Sequence, residues 1–256
     1  MIKGTQVDQV LEVLIKIPKR LRDKVKEVSL DMAAGMNQIA KICFTKADRI
    51  TDRFHVQKLA FEAIQDIRIK HRWEAIDQEN QYYQEAKNNG ERYLPLILPN
   101  GDTHRQLLAR SRYLLFKTPN KWTVTQKQRA EILFKQYPDI EKAYQLSCDL
   151  SNIFNQKITK GIALTKMARW FNDAENSGFK SFTTIRKTFE QHYSTILNYF
   201  DNRSTNAYAF FVKDEETQKK VTDKLNESDL TLKEKFAKKA ELISEMWKNL
   251  EDKSKY

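Results

Sequence analysis

Residues 25–31 read Val-Lys-Glu-Val-Ser-Leu-Asp, and residues 47–55 read Ala-Asp-Arg-Ile-Thr-Asp-Arg-Phe-His. In the first stretch Val28 and Leu30 alternate with polar neighbours and run into Asp31, which predicts a short strand ending in a carboxylate. The second predicts another strand, Ala47 to Thr51, closing on Asp52. Between them Met36, Ile39, Ala40 and Phe44 recur at helical spacing over 32–44. Strand, helix and strand in so short a span form a βαβ unit, whose crossover makes the two strands parallel. Asp31 and Asp52 then stand at the carboxyl ends of neighbouring strands, where α/β proteins place their chemistry.

Outward from this unit the chain reads as helices. Residues 5–24 carry Val7, Val10, Leu11, Leu14 and Ile15 at helical spacing until Pro18 interrupts. A long helix is predicted from Val56 to about Asn88, with Leu59, Ala63, Ile64, Ile67 and Trp73 on its apolar stripe and Asn88-Asn89-Gly90 ending it. Tyr93 to Asp102, with Pro95, Pro99 and Gly101, is a connector. Further helices follow over 103–116, 125–136, 139–157, 159–176 and 181–200, with Asn120 and Thr123 flanking a turn and N-cap. Six glycines and five prolines suit such helices and disfavour a turn-rich β fold. The predicted class is mainly α with a small parallel β pair, and the helices must carry the packing because two strands alone are marginal.

The net charge of +11 and pI near 9.4 make a polyanion the first partner to consider. No stretch approaches the ~20 apolar residues of a spanning helix and no signal peptide opens the chain, so DNA rather than membrane is expected. Two cysteines, Cys43 and Cys148, make no disulfide framework and point to a reducing compartment. The four histidines, His55, His71, His104 and His192, have no paired ligand spacing and predict no structural zinc.

Read from the residues, Asp31 and Asp52 have two meanings. Carboxylates at strand ends are rigidly aimed, as metal-dependent nucleases and transposases require. Equally, Asp31 can be a helix N-cap and Asp52 a partner of Arg53. Candidate phosphate contacts are Arg53, then Arg68, Lys70 and Arg72 beside Trp73 on one helix, and Arg105, Arg110 and Arg112 on another. The alternative for each group is a solvated basic face.

Val28-Ser-Leu-Asp31-Met-Ala33, the later Asp52-Arg-Phe-His-Val56, and Tyr199-Phe-Asp-Asn-Arg-Ser-Thr-Asn-Ala207 resemble the ISL-three family of bacterial insertion-sequence transposases. The resemblance spans roughly residues 1–209. It implies an RNase H-like core with a DDE carboxylate triad working on Mg²⁺ or Mn²⁺, and a large helical insertion before the last acidic residue. By that likeness Asp31 matches the second triad member and is the metal-binding carboxylate, while Asp52 and His55 match a supporting block. Arg203, Ser204, Thr205 and Asn206 match the polar run that leads into the last catalytic helix. The family's first Asp belongs to an earlier strand, so the chain is expected to be N-terminally truncated. Phe210 stands where the final Glu belongs, with Glu215 and Glu216 one to two turns beyond. One carboxylate of three remains, and a catalytically defective core is expected.

The end of the chain resembles a second family. Asn206-Ala-Tyr-Ala-Phe-Phe-Val-Lys-Asp-Glu215 is similar to the first helix of an HMG box, and Phe236 with Trp247-Lys-Asn-Leu-Glu-Asp-Lys-Ser-Lys-Tyr256 to its second. That likeness makes Phe236 a candidate wedge for the minor groove, with Asn206 as a DNA contact. The alternative is that the aromatic residues of this tail form only a small helical core.

The expected organisation is an incomplete RNase H-like core over 1–55, a helical insertion over 56–202 and an HMG-box-like helical tail over 203–256. The expected function is that of a DNA-binding, transposase-derived protein, inactive in strand transfer, at the bacterial nucleoid (or in the nucleus of a eukaryote). Competing readings are an architectural minor-groove binder using the tail, and a nuclease that borrows carboxylates from another copy in a homo-oligomer.

Overall fold

In a computed structural model, which describes residues 6–203, helix α1 (Val7–Ile15) stops short of Pro18 and a single turn, α2 (Lys19–Arg22), follows it. Strand β1 (Glu27–Leu30), helix α3 (Ala34–Cys43) and strand β2 (Asp48–Thr51) come next. The strands pair in parallel with Glu27 opposite Asp48 and Leu30 opposite Thr51, as the βαβ pattern demands. Among the described residues the sheet has two strands. Arg22 ties this unit together, donating from Nη1 to the Cys43 carbonyl at 2.7 Å and from Nε to the Ile17 carbonyl at 3.0 Å. Gly35 lets α1 approach α3 closely, since a Cβ there would lie 3.1 Å from Val7 Cγ2.

The rest is helical. Helix α4 (Arg53–Asn88) leads to α5 (His104–Arg110), two 3₁₀ turns at Leu114–Phe116 and Pro119–Lys121, and α6 (Val124–Gln136). Then come α7 (Pro138–Asn155), α8 (Lys160–Asn176), α9 (Lys180–Leu197) and the short α10 (Tyr199–Asn202). Their limits follow local chemistry. Thr103 with Gln106 and Thr123 with Gln126 form capping boxes at α5 and α6. Pro138 begins α7, where its missing N–H costs no helical bond. Helix α4 ends on Gly90 at φ +71°, with Glu91 N–H reaching the Ala86 carbonyl at 2.8 Å, a Schellman closure.

Helix α4 is the axis of the body. It packs against α5, α7 and α9, while α7 also meets α6 and α8, and α9 lies on β2. Val56, Ala60, Ala63 and Ile64 of α4 join Ile140, Leu150 and Phe154 of α7 and Phe182 and Phe189 of α9 in one buried cluster that includes Ile50 of β2. Apolar burial of this kind, at roughly 25 cal/mol per Å², is the main stabilising term. The small sheet is pinned to the helices by polar bonds: Thr51 and Thr195 hydroxyls at 2.7 Å, and Asn198 Nδ2 to the Arg49 carbonyl at 2.9 Å.

Three expectations change. The apolar stripe of α4 ends before Trp73, which is 58 % exposed, because the last α4 residue buried by its neighbours is Arg68. The helix predicted over 103–116 breaks at Arg110, where the Ser111 hydroxyl turns back to the Leu107 carbonyl at 2.7 Å. The helix predicted to 200 ends at Leu197, where the Asn198 side chain leaves for β2. Of the stretch read as an HMG-like tail, 203–256, all but Arg203 lies outside the described residues.

Candidate functional site

Asp31 and Asp52 follow β1 and β2 at the same end of the sheet, as their positions after Leu30 and Thr51 require. Their side chains differ. Asp31 is half-buried, and its Oδ1 accepts the Ala33 N–H at 2.9 Å in the turn before α3. Asp52 is buried and caps α4, its Oδ1 accepting the Phe54 N–H at 2.9 Å. The cap is therefore Asp52 rather than Asp31. Arg53 Nη1 donates to Asn155 Oδ1 at 2.9 Å, and its guanidinium lies 6.0 Å from the Tyr199 ring centre. His55 sits half-buried in the first turn of α4, edge-on to the Phe54 ring.

A two-metal centre needs about three converging carboxylates. Here one Asp31 oxygen serves a turn, Asp52 serves a helix end, and among the described residues no three His, Cys, Asp or Glu side chains come together as a metal site. The described residues do not by themselves fit such a cage. Asn206 and Phe236 lie outside the described residues.

The candidate phosphate contacts separate into committed and uncommitted cations. Arg68 is buried and faces inward, its Nη1 donating to the Leu108 carbonyl at 2.8 Å and its Nε to Gln65 Oε1 at 2.7 Å. It braces α4 against α5 and is no surface contact. Arg203, at φ +57°, donates to the Gln156 and Phe154 carbonyls at 2.7 and 2.8 Å and so closes the end of α7. Lys70 lies 3.8 Å from Glu74, and Arg105 lies 3.3 Å from Glu79. Arg110 pairs with Asp102. Arg112 and Arg72 have no ion-pair partner among the described residues.

Sequence reading passed over two polar centres. Asp102 is buried and held by Arg110, by Arg129 Nε at 3.4 Å and by Asn100 Nδ2 at 2.8 Å. The local signal was Pro99-Asn-Gly-Asp102, a turn directly before the Thr103 cap. The second centre is His71, whose Nδ1 meets Glu74 at 2.9 Å and whose Nε2 meets Asp139 at 2.5 Å, with the Tyr137 ring 4.9 Å away. His104 Nδ1 shares a hydrogen bond with the Tyr137 hydroxyl at 2.9 Å. Burial, and then Glu74 and Asp139, push the Tyr137 hydroxyl up to about 12. The Cys148 thiol is also raised, by burial first.

A βαβ unit that carries two aspartates to one sheet end, followed by a long helical body with basic residues, is the arrangement on which membership can be judged. The family model described as a transposase, that of the ISL-three DDE group, matches residues 1–209, and the chain belongs to that transposase family. Membership implies DNA as the partner. No curated protein and no solved structure matches the chain. Among the described residues, no helix is long and apolar enough to cross a membrane.

Proposed function

We propose that this chain is a DNA-binding product of an insertion-sequence transposase that carries out no strand transfer as it stands. In this reading β1, α3 and β2 belong to an RNase H-like core, and the helices from α4 to α10 are its insertion. The observation that supports it is the use of the two strand-end carboxylates: Asp52 is the buried cap of α4, and Asp31 holds the turn into α3. Phe210, in the place where the family pattern calls for a glutamate, adds a sequence reason from outside the described residues. With +11 net charge the chain keeps affinity for phosphates after the chemistry is gone.

The test is a nicking assay on supercoiled plasmid in Mg²⁺ and in Mn²⁺, with DNA binding measured in parallel at two salt concentrations. The expected outcome is binding that falls steeply as salt rises from 50 to 200 mM, by a slope set by the phosphate contacts, with no nicking. Nicking that disappears in Asp31→Ala would overturn the inactive reading and require another carboxylate to complete the site. Salt-independent binding, or none, would remove the DNA-binding reading itself.

A further inference from the structure

Away from the strand ends, the middle of α4 and the turn after α5 bring Arg68, Arg72 and Arg112 onto neighbouring segments joined by hydrogen bonds. Arg68 and Arg72 lie one helical turn apart on α4 and so share a face. Arg112 follows α5, and Gln65 links the two segments, accepting from Arg68 Nε at 2.7 Å while its own Nε2 donates to the Arg112 carbonyl at 3.3 Å. Arg68 is 6 % exposed. Burial first, and then the charges of Arg112 and Arg72, hold the Arg68 guanidinium below its usual range. The Arg72 Nε is buried and has no hydrogen-bond acceptor among the described residues.

Such a grouping is unfavourable by itself. Like charges repel, and a buried donor without an acceptor has lost its water without a replacement. A bound anion removes both penalties, supplying negative charge and oxygen acceptors together. The nearby Lys70, Arg105 and Arg110 have carboxylate partners already, whereas Arg72 and Arg112 have none among the described residues.

Two large aromatic rings flank the cluster in sequence and stand in solvent. Trp73, next to Arg72, is 58 % exposed, and Tyr113, next to Arg112, is 68 % exposed. The Arg112 guanidinium lies 5.5 Å from the Tyr113 ring centre, so cation and ring present one continuous surface. Duplex DNA keeps its bases stacked on one another and offers a protein phosphates and base edges but no base faces. An unpaired strand offers phosphates to guanidiniums and base faces to rings, which is how single strands are held without sequence preference.

We propose that Arg68, Arg72 and Arg112, with Trp73 and Tyr113, form a binding site for single-stranded DNA. The buried Arg68 sets the positive field, Arg72 and Arg112 hold a backbone phosphate, and the two rings receive the bases beside it. The proposal rests on the DNA-binding reading above and narrows it to the unpaired strand.

The test uses the full chain and fluorescence anisotropy of a labelled oligothymidine of about twelve nucleotides, within the range of single-strand sites, against a labelled hairpin duplex. Arg72→Gln with Arg112→Gln should weaken oligothymidine binding about tenfold, and Trp73→Ala about fivefold, near the low end of base–aromatic stacking. Hairpin affinity should change less than about twofold, since phosphate contacts elsewhere remain. Arg68 is left in place because it is buried, and an unchanged thermal midpoint verifies that each variant folds. Equal loss on both DNAs, or no loss on oligothymidine, overturns the proposal. If the unaltered chain binds the hairpin but not oligothymidine, the single-strand site fails alone. If it binds neither, the DNA-binding reading fails with it.

Discussion

The backbone N–H of Asp52 donates to the Leu30 carbonyl at 2.9 Å, so the parallel ladder closes on the aspartate that begins α4. One peptide thus ends a strand, and its side chain starts a helix of 36 residues by accepting the Phe54 N–H. A side chain so placed is a structural element first. Its carboxylate satisfies one of the donors that every helix start leaves open.

Asp52→Ala should therefore destabilise the protein by about 1–2 kcal/mol, the upper part of the range for loss of an N-cap, because the side chain is buried. Asp31→Ala removes a turn bond from a half-buried site and should cost only about 0.5 kcal/mol. Thermal melts of the two variants decide the order; a larger loss for Asp31→Ala would contradict these roles.

Asp102 is a more severe case, being 1 % exposed with Arg110 and Arg129 as its ion-pair partners. Asp102→Asn should cost about 3 kcal/mol, the low end for breaking a buried pair, because both arginines reach water. At this chain length the melting midpoint should fall by roughly 6–12 °C. Arg110→Ala should cost no more than about 1 kcal/mol, as an exposed partner whose role Arg129 shares. Equal costs for the two variants would show that the carboxylate is not the centre of the group.

Tyr137 gives a pH prediction. Its hydroxyl is pushed up to about 12, above the unfolded value of about 10, by burial and then by Glu74 and Asp139. The unfolded chain therefore loses this proton first as pH rises. The contribution is complete below pH ~10 and is lost as pH climbs toward 12. Urea midpoints measured between pH 9 and 12 should fall less steeply in Tyr137→Phe than in the unaltered chain. A residual slope belongs to Tyr144, also raised by burial; identical slopes would rule Tyr137 out as a source.

The βαβ unit could be read from seven and nine residues, because Val28, Leu30 and Ile50 alternate with polar neighbours and a strand's pattern is local. The end of α4 at Asn89-Gly90 and the Thr123 cap were legible for the same reason: both motifs close within a few residues. The break after Arg110 was not, since it depends on how Ser111 and Arg110 are held once α5 is packed. The Trp73 reading failed because periodicity marks an apolar stripe without saying how far a neighbouring helix covers it.

Local sequence pattern is enough for the order of helices and strands and for the parallel pairing of β1 and β2, and the transposase family model matches residues 1–209 of that sequence. The tertiary structure alone decided what each charged side chain does. Arg68 turns inward to the carbonyl of Leu108, His71 meets Asp139, and Arg203 closes on Phe154, each partner 40 or more residues away in the chain. A long flexible side chain is free or committed according to what folding brings beside it. Spacing cannot record that, because the competing acceptors come from segments that meet only once the apolar core has closed.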